Sequence, residues 1–448
     1  MSAAAFPSWA ILEPFVFRRD DDASFPDESK APVRASGTTS LGAPFRIAFS
    51  FAEPPRVSRL YAQLPGFPGP DKLTPLAFLA THHRLALLQV CTLLPNFVIV
   101  QDFFIFSAYH DPSSLQRLPP SSEMDAQPPP GHLDYLVERR LLRDRHIGLL
   151  CRGEGEQEFV VAELHLSKIR NKVHADIFFL KSAVPARCGE KWSSVRVPIL
   201  HSGDPGDLLF WQTEGVVPVD HWLCWIDYSR GMLFCDLFGK PKPTVSFLRL
   251  PLDNLPNNFY NRSFTHSRMS RGVSAIDDGR ALKFVHVARS DGIGHGALKP
   301  GASFTITCHT LRLDGSMALL KNKGMLGRMR WIEDSTATSD KLWPASAHRE
   351  SPDEFPHDIV IFPQVNIDRP HVVHFLTSSY EPLKKMWLVA IDMNTATVES
   401  SSQYINGKED LATVDSDLTT LRSTCPMPLL TCELSKYLNP PRKRKDVE

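Results

Sequence analysis

Histidines are the first candidates for chemistry, because imidazole is the most common metal ligand in proteins. The sequence has 17 of them, and "THHR" (His82, His83) and "HSGD" (His201) place them among other polar residues. Neighbouring residues of a strand point to opposite faces, so His82 and His83 are not expected to bind one ion together. The sequence contains no C-x-x-C or H-E-x-x-H motif. We therefore predict no metal site and no cofactor.

Cysteine chemistry is equally weak. The eight cysteines show no paired spacing, which is typical of free thiols in a reducing compartment. Cys224 and Cys235 lie in neighbouring apolar runs and could meet across a hairpin. Buried free cysteines behave as small hydrophobic side chains, and this is our interpretation of both residues.

The polar centre of "HWLCWIDYSRGMLFCDLF" (221–238) contains Asp227, Ser229 and Arg230, which could be read as an acid–base group. No G-x-S-x-G motif accompanies them. Asp and Ser in a turn normally accept hydrogen bonds from their own backbone. We therefore predict no catalytic role for these residues and interpret "DYSRG" as a turn.

The apolar runs on both sides of this turn predict the secondary structure around it. "HWLCWID" and "GMLFCDLF" read as two strands of a hairpin, and Gly231 suits a bend that needs positive φ. Alternation places Leu233 and Cys235 on one face of the second strand and Met232 and Phe234 on the other. Both faces are apolar, so we expect this strand to be buried on both sides.

The same pattern of strand, polar turn and strand recurs about five times, with anchors near Leu85, Ile147, Leu233, Phe284 and Val373. Repeated antiparallel units of three to four strands predict an all-β, β-propeller-like fold. Tandem β-sandwiches would give similar strand spacing and are the alternative.

The domain organisation is predicted from composition. Residues 1–109 form an N-terminal β-rich segment, which we expect to be the first part of the β-domain, and the Pro- and Ser-rich stretch 110–132 is a linker or exposed loop. The main β-repeat domain spans 133–405. Residues 406–448 hold a short helix and a basic disordered tail.

Net charge and targeting signals limit the predicted cellular location and the classes of binding partner. Lys plus Arg and Asp plus Glu both number 50, so there is no global field for nucleic acid or a membrane. No signal peptide or membrane span is predicted, and we expect an intracellular protein of the cytoplasm or nucleus. Arg442, Lys443, Arg444 and Lys445 form a candidate nuclear-targeting cluster.

Three stretches resemble a known family: "WIDYSRGMLFCDLF", "ALKFVHV" with "SFTITCHTLRLDGSM", and "PHVVHFLTS" with "KMWLVAIDMNTATVESSSQYINGKE". They are similar to the plant domain-of-unknown-function family 1618, abundant in grasses, and the resemblance covers roughly residues 8–405. The family brings no activity, substrate or catalytic residue. One departure is "DYSRG", because the family more often has "DLWRG" at this turn.

A rigid β-scaffold with variable loops favours recognition of another protein. We predict a non-enzymatic protein-interaction module with an unknown protein partner, whose candidate loop contacts are Phe259, Tyr260 and Trp343. The oligomeric state is not predicted.

The alternative function is a hydrolase-type enzyme with carboxylates in the central channel. The adjacent acids Asp277 and Asp278, and Asp353 and Glu354, are its candidate residues. Two carboxylates about 5–10 Å apart in a deep cleft would support it.

Overall fold

The structure of the chain is a computed structural model. The structure describes residues 6–67, 75–94, 99–108, 114–121, 142–152, 158–169, 172–185, 189–200, 208, 210–239, 242–252, 266–293, 296–313, 329–343, 356–378, 386–405 and 428–439.

The first sheet is built from both ends of the described chain and has five strands. They are β1 (Ala10–Arg18), β2 (Val33–Thr38), β3 (Pro44–Ser50), β4 (Val57–Gln63) and β25 (Leu430–Cys432). Their order is β2-β3-β4-β1-β25. Strand β25 runs antiparallel to β1, with Ala10 opposite Cys432. The first and last strands of the described chain are thereby neighbours in one sheet.

The second sheet is a four-stranded meander. Its strands are β5 (Leu76–His82), β6 (Leu85–Leu93), β7 (Ile99–Ser107) and β8 (Leu115–Arg117). Strand β8 falls in the stretch 110–132 that was expected to be a linker or loop, so part of that stretch is the outer strand of a sheet.

The third and fourth sheets are two further meanders of four strands. The third consists of β9 (Ile147–Arg152), β10 (Glu158–Ile169), β11 (Lys172–Ala183) and β12 (Ser193–Leu200). The fourth consists of β13 (Gly215–Val219), β14 (Trp222–Asp227), β15 (Gly231–Asp236) and β16 (Thr244–Arg249). A short parallel pairing of β12 with β16, at Ile199 and Leu200, joins them into one eight-stranded sheet.

The last two sheets are also meanders. The fifth consists of β17 (Arg271–Ile276), β18 (Ala281–Arg289), β19 (Phe304–Arg312) and β20 (Ile332–Thr338), and the sixth of β21 (Ile361–Val365), β22 (Val372–Ser378), β23 (Met386–Asp392) and β24 (Thr397–Ile405). Helical structure in the described chain is limited to short pieces: the α-helices His266–Ser270 and Ser339–Leu342 and the 3-10 turns Asp144–His146 and Leu434–Leu438.

The hydrophobic cores lie between consecutive sheets and run around a ring. Separate clusters fill the spaces between sheets one and two, two and three, three and four, and four and five. One further cluster joins sheets five and six and also contains Trp9 and Phe17 of the first part of the chain. Six sheets that share their cores with both neighbours form a six-bladed β-propeller. Tandem sandwiches would instead bury two separate cores.

The innermost strand of each sheet faces the axis of the ring: β5, β9, β13, β17, β21 and β25 are consecutive neighbours. Strand β9 lies very close to β13, and β17 very close to β21, and in each pair a glycine is at the point of closest approach. A Cβ on Gly148 would lie 2.5 Å from Val216, and a Cβ on Gly272 would lie 2.5 Å from the carbonyl oxygen of Pro363. Both contacts are closer than carbon atoms tolerate, so the ring is tight at these two points.

The hairpin predicted at 221–238 is confirmed. Strands β14 and β15 pair antiparallel with Asp227 opposite Gly231. Leu233 and Cys235 pack in the core between sheets three and four, and Met232 and Phe234 in the core between sheets four and five. The expectation for Gly231 was wrong, because its φ is not positive. Its Cβ would lie 2.4 Å from the carbonyl oxygen of Leu248, so close packing requires this glycine.

Candidate functional site

An internal cavity of about 520 Å³ lies inside the ring of innermost strands. Every one of the six innermost strands contributes to its wall, so the cavity is the axial channel of the propeller. Apolar side chains such as Phe78, Leu149 and Val216 line its middle, and charged residues lie where the innermost strands begin and end. A cavity of this volume falls in the range of small-ligand sites.

A second cavity, of about 380 Å³, adjoins the channel and shares Arg145, Glu214 and Arg268 with it. We call it the mouth cavity. Its remaining wall consists of Arg143, His146 and residues 211–213. These residues come just before β9 and β13, so the mouth cavity lies between the third and fourth sheets, where innermost strands begin.

Glu214 is the carboxylate of the mouth cavity, and its oxygens are already engaged. Oε2 accepts a hydrogen bond from the backbone N–H of Tyr228 at 2.8 Å. Oε1 accepts one from the hydroxyl of Ser267 and lies 3.9 Å from Nε of Arg268. Burial raises the pKa of Glu214, and the negative charge of Asp227 adds to this rise.

Asp227 ends β14 and is 1% exposed. Its carboxylate accepts hydrogen bonds from the backbone N–H of Gln212 at 3.0 Å and of Ser229 at 2.9 Å. The bond to Ser229 is the turn interaction predicted from the sequence. The bond to Gln212 fixes the segment that walls the mouth cavity, so this buried aspartate shapes the site.

Two arginines approach the channel from the start of the fifth sheet. Arg268 is 5% exposed and pairs with Glu214. Arg271 donates from Nη1 to the carbonyl oxygen of Tyr228 at 2.6 Å, and burial lowers its pKa. Tyr228 also lines the channel, and burial, with the charge of Glu214, raises the pKa of its hydroxyl to about 12. The turn that departs from the family pattern therefore contributes an uncharged phenol to the channel.

His146, Glu163 and His165 form a second cluster beside the mouth cavity. One ligand-type atom from each residue lies within 4.8 Å of the other two. Glu163 is fully buried, and its Oε1 accepts hydrogen bonds from Nε2 of His165 at 2.8 Å and from the backbone N–H of Arg143 at 2.9 Å. Burial, followed by the charge of His165, lowers the pKa of His146 to about 4. His146 is therefore neutral at pH 7.

The opposite end of the channel corrects the prediction for His82 and His83. His83 is a turn residue with φ +50, not a strand residue. The two rings therefore lie on the same side, with centroids 4.0 Å apart. Nδ1 of His82 accepts the backbone N–H of Cys151 at 2.9 Å, and Nδ1 of His83 lies 2.9 Å from the hydroxyl of Tyr437. Burial and the neighbouring His83 hold the pKa of His82 well below its usual value.

The cysteines are buried as interpreted. Cys224 packs between sheets four and five and Cys235 between sheets three and four, so they point to opposite faces of the hairpin. Both are free, and burial raises the pKa of both thiols. They are structural side chains and contribute nothing to the channel.

Trp343 and the pair Asp277 and Asp278, also singled out in the sequence, lie in different parts of the fold. Trp343 is half-buried against the core of sheets five and six, with its ring stacked on His357 at 4.9 Å. Asp277 and Asp278 form the β17–β18 turn, and Asp278 lines the far end of the channel. Several predictions lie outside the described residues: those for His201, Phe259, Tyr260, Asp353, Glu354, the helix within 406–427 and the cluster Arg442, Lys443, Arg444 and Lys445.

No helix in the described part of the chain is long and apolar enough to cross a membrane.

Residues 225–374 match the family described as "Protein of unknown function (DUF1618)". This segment belongs to that family. The resemblance seen in the sequence is therefore confirmed for these residues. The DUF1618 segment begins within β14 and ends within β22. It contributes Asp227, Arg268 and Arg271 to the site, whereas Glu214 and the histidine cluster precede it.

Comparison with known proteins adds little to the DUF1618 assignment. No curated protein matches the chain. A solved protein of unknown function from Dyadobacter fermentans is 10% identical over 89% of this chain and 96% of that chain, with a TM-score of 0.31. The catalytic domain of a GH62 α-L-arabinofuranosidase from Coprinopsis cinerea is 9% identical over 83% and 90%, with a TM-score of 0.25. A glycosyl hydrolase from Bacteroides ovatus is 9% identical over 74% and 84%, with a TM-score of 0.27. These likenesses carry no functional argument.

Sequence reasoning missed the residues of the mouth cavity. Glu214, Arg268 and Arg145 are far apart in the chain and meet only because each precedes an innermost strand. A local signal did exist for the second cluster. In "AELHL", Glu163 and His165 are two residues apart on a predicted strand and therefore share a face.

Proposed function

We propose that the protein is a non-enzymatic binding module that takes an acidic segment of a protein partner into the mouth cavity. The observation that carries the proposal is the charge of the wall. Arg143, Arg145 and Arg268 line this cavity of about 380 Å³, and among its described lining residues Glu214 is the one carboxylate. Guanidinium groups bind carboxylates through paired, charge-assisted hydrogen bonds.

The carboxylate at the site does not cancel this preference. Glu214 is bound by the hydroxyl of Ser267 and the backbone N–H of Tyr228, and burial raises its pKa. A carboxylate with a raised pKa carries less negative charge as the pH falls towards that pKa. Three arginines stand against this one carboxylate in the wall, so an incoming acidic group meets an excess of cationic side chains.

A protein partner suits the edge of the cavity better than a free anion does. Phe210, next to the wall residue Trp211, is 48% exposed. Exposed aromatic residues beside arginines are the pair of types enriched at the energetic centres of protein interfaces. We therefore propose the surface around Phe210 as a contact of the partner.

The hydrogen bonds of the buried carboxylates give less support to the alternative function, a hydrolase. An acid or nucleophile must point its oxygens at the substrate. Glu214 and Asp227 instead accept hydrogen bonds from the backbone N–H groups of Tyr228, Gln212 and Ser229. Such bonds fix loops around a site and leave little room for proton transfer.

The test is a position-scanning octapeptide library presented to the full chain. Each position is fixed in turn as Glu, Gln, Lys or Leu, and binding is measured by fluorescence polarisation. We expect at least one position at which Glu binds about tenfold more tightly than Gln, corresponding to about 1.4 kcal/mol. Equal binding of the Glu and Gln peptides would overturn the proposal.

The test variant is the double substitution Arg143→Gln/Arg145→Gln. Its matched control is the double substitution Arg56→Gln/Arg117→Gln. All four arginines are exposed, so both double variants remove the same charge from the surface. Only the first pair lines the mouth cavity. Loss of the Glu preference in the first variant alone supports the proposal, and equal loss in both contradicts it.

Two further arms distinguish the alternatives. Citrate or phosphate that binds at micromolar concentration while every peptide fails would assign the cavity to a small anion. Turnover of nitrophenyl glycosides or nitrophenyl acetate that Glu214→Gln abolishes would assign it to a hydrolase. Either result contradicts the binding-module proposal.

A further inference from the structure

We infer that His146, Glu163 and His165 form a binding site for a divalent transition-metal ion, with Zn²⁺ as the best-suited ion. The three ligand-type atoms lie within 4.8 Å of one another, and two histidines with one glutamate are a common ligand set of protein zinc sites. The inference is independent of the acidic-peptide proposal, because it rests on a different group of residues.

The fold brings the three residues together from one hairpin. Strands β9 and β10 pair with Glu163 opposite Ile147, and His146 is the residue just before β9. His165 lies two positions beyond Glu163 on the same face of β10. Glu163 and His165 are held by the paired backbone of β10. His146 is held by the 3-10 turn before β9, where its N–H donates to the carbonyl oxygen of Arg143 at 2.9 Å. Such fixed backbone gives a metal site the rigidity that it needs.

The burial of Glu163 points to a cationic partner. Its side chain is fully buried, and a buried carboxylate is costly unless it is paired or coordinates a metal. His165, whose side chain is 29% exposed, supplies one partner at 2.8 Å. A metal ion between the three residues would neutralise the charge more completely than one hydrogen bond to an imidazole does.

His146 supplies the second, independent observation. Its Nδ1 is buried and has no hydrogen-bond partner among the described residues. Buried ring nitrogens are nearly always paired, so an unpaired one on a ring that belongs to this cluster suits a metal ligand. The backbone of His146 is itself fixed, because Nε1 of Trp225 donates to its carbonyl oxygen at 2.8 Å.

The surroundings leave a place for a fourth ligand. His146 lines the mouth cavity of about 380 Å³, which has room for a water molecule or an anion beside the ion. Arg143 and Arg268 lie close enough to His146 to act on it electrostatically. These cations weaken the binding of a metal ion but favour an anionic fourth ligand.

The experiment uses the full chain, freed of metal with a chelator and dialysed into metal-free buffer. Co²⁺ is titrated in and followed by its visible d–d absorption, and Zn²⁺ is then added in competition. We expect one equivalent of Co²⁺ to bind with micromolar or tighter affinity, and Zn²⁺ to displace it. Absence of saturable binding near one equivalent would overturn the inference.

The variant is His165→Asn, and its matched control is His221→Asn. His221 is also a partly exposed histidine beside a carboxylate, with Nδ1 at 2.6 Å from Asp220, but it lies in the turn between β13 and β14. Loss of a ligand should weaken Co²⁺ binding by at least about 10- to 100-fold, since loss of an outer-shell partner alone does so. The control variant should bind as the unmodified protein does.

A second variant protects the test against misfolding. His146→Asn leaves the Glu163–His165 pair in place and should also lose Co²⁺ binding. Far-UV circular dichroism and urea unfolding establish that each variant is folded. Folded variants that bind Co²⁺ as tightly as the unmodified protein would overturn the site. The peptide library is measured separately with and without Zn²⁺, so the two proposals can fail independently.

Discussion

The indole N–H of Trp225 donates a hydrogen bond to the carbonyl oxygen of His146 at 2.8 Å, which ties the fourth sheet to the third. Trp225 is fully buried on β14, and His146 lines the mouth cavity. This one bond connects the packing of the propeller to its candidate site.

Replacement of Trp225 by Phe should show the value of this bond. The change removes the donor and leaves a buried carbonyl oxygen unsatisfied, which costs about 1–3 kcal/mol of unfolding free energy. Trp222→Phe is the control, because Nε1 of Trp222 is buried without a hydrogen-bond partner among the described residues. Urea unfolding should give a larger loss for Trp225→Phe, and equal losses would contradict a stabilising role of the bond.

Replacement of Gly231 by Ala tests the close packing at the start of β15. The new Cβ would lie 2.4 Å from the carbonyl oxygen of Leu248 and 2.6 Å from the ring of Phe247. Overpacking of this kind costs about 1–3 kcal/mol. Gly66→Ala is the control, since its Cβ would meet its nearest neighbour, Ala43, at an ordinary 3.4 Å. Thermal unfolding should separate the two, and an unchanged melting temperature for Gly231→Ala would show that the strands can move apart.

Leu434→Ala tests whether the C-terminal strand is part of the cooperative core. Leu434 lies two residues after the end of β25, is fully buried and packs between sheets one and two. Its truncation should cost about 2–5 kcal/mol in urea unfolding. Leu438→Ala is the comparison, because Leu438 belongs to the same 3-10 turn but is only partly buried. If the two variants lose equally little, the closing strand unfolds separately from the propeller.

His374 should make stability depend on pH. Burial, followed by the charge of Arg369, lowers its pKa to about 4. In the unfolded chain the ring takes up a proton below about pH 6.5. The unfolded state therefore binds more protons between these values, and stability should fall as the pH drops from about 6.5 towards 4, by at most about 1.4 kcal/mol per pH unit.

The measurement compares the unmodified protein with His374→Gln between pH 7 and pH 4. The variant should lose this share of the pH dependence, while other buried histidines contribute equally to both proteins. The ring proton of His374 should titrate by NMR near pH 4. A midpoint near 6.5 would contradict the prediction.

The repeating sheets could be predicted because hairpins are local. The five sequence anchors near Leu85, Ile147, Leu233, Phe284 and Val373 fall in the second to sixth sheets, one in each. The first sheet had no anchor. Its strand β1 pairs in parallel with β4 and antiparallel with β25, more than 400 positions away. A pairing between strands so far apart in the sequence leaves no local pattern, so the sequence did not predict the number of blades.

The residues of the candidate site could not be predicted from the sequence for the same reason: they are far apart in the chain. Arg145 lies in a 3-10 turn and Glu214 in an irregular segment, each just before an innermost strand. Their relative positions are set by the ring of strands, not by neighbouring residues. His83 illustrates a smaller failure. A strand pattern predicted that its ring points away from His82, but positive φ at the turn brings the two rings together.

The pairing of β1 with β25 also determines how the molecule bears force. Ala10 lies opposite Cys432, and Leu12 opposite Leu430. A pull applied to residue 9 and residue 433 therefore acts on the same end of the two-stranded ladder, and its hydrogen bonds are loaded one after another. Such unzipping proceeds at low tension, whereas strands pulled from opposite ends share the load. Tethered through its first and last strands, the propeller would open at the first sheet before any other sheet bears strain.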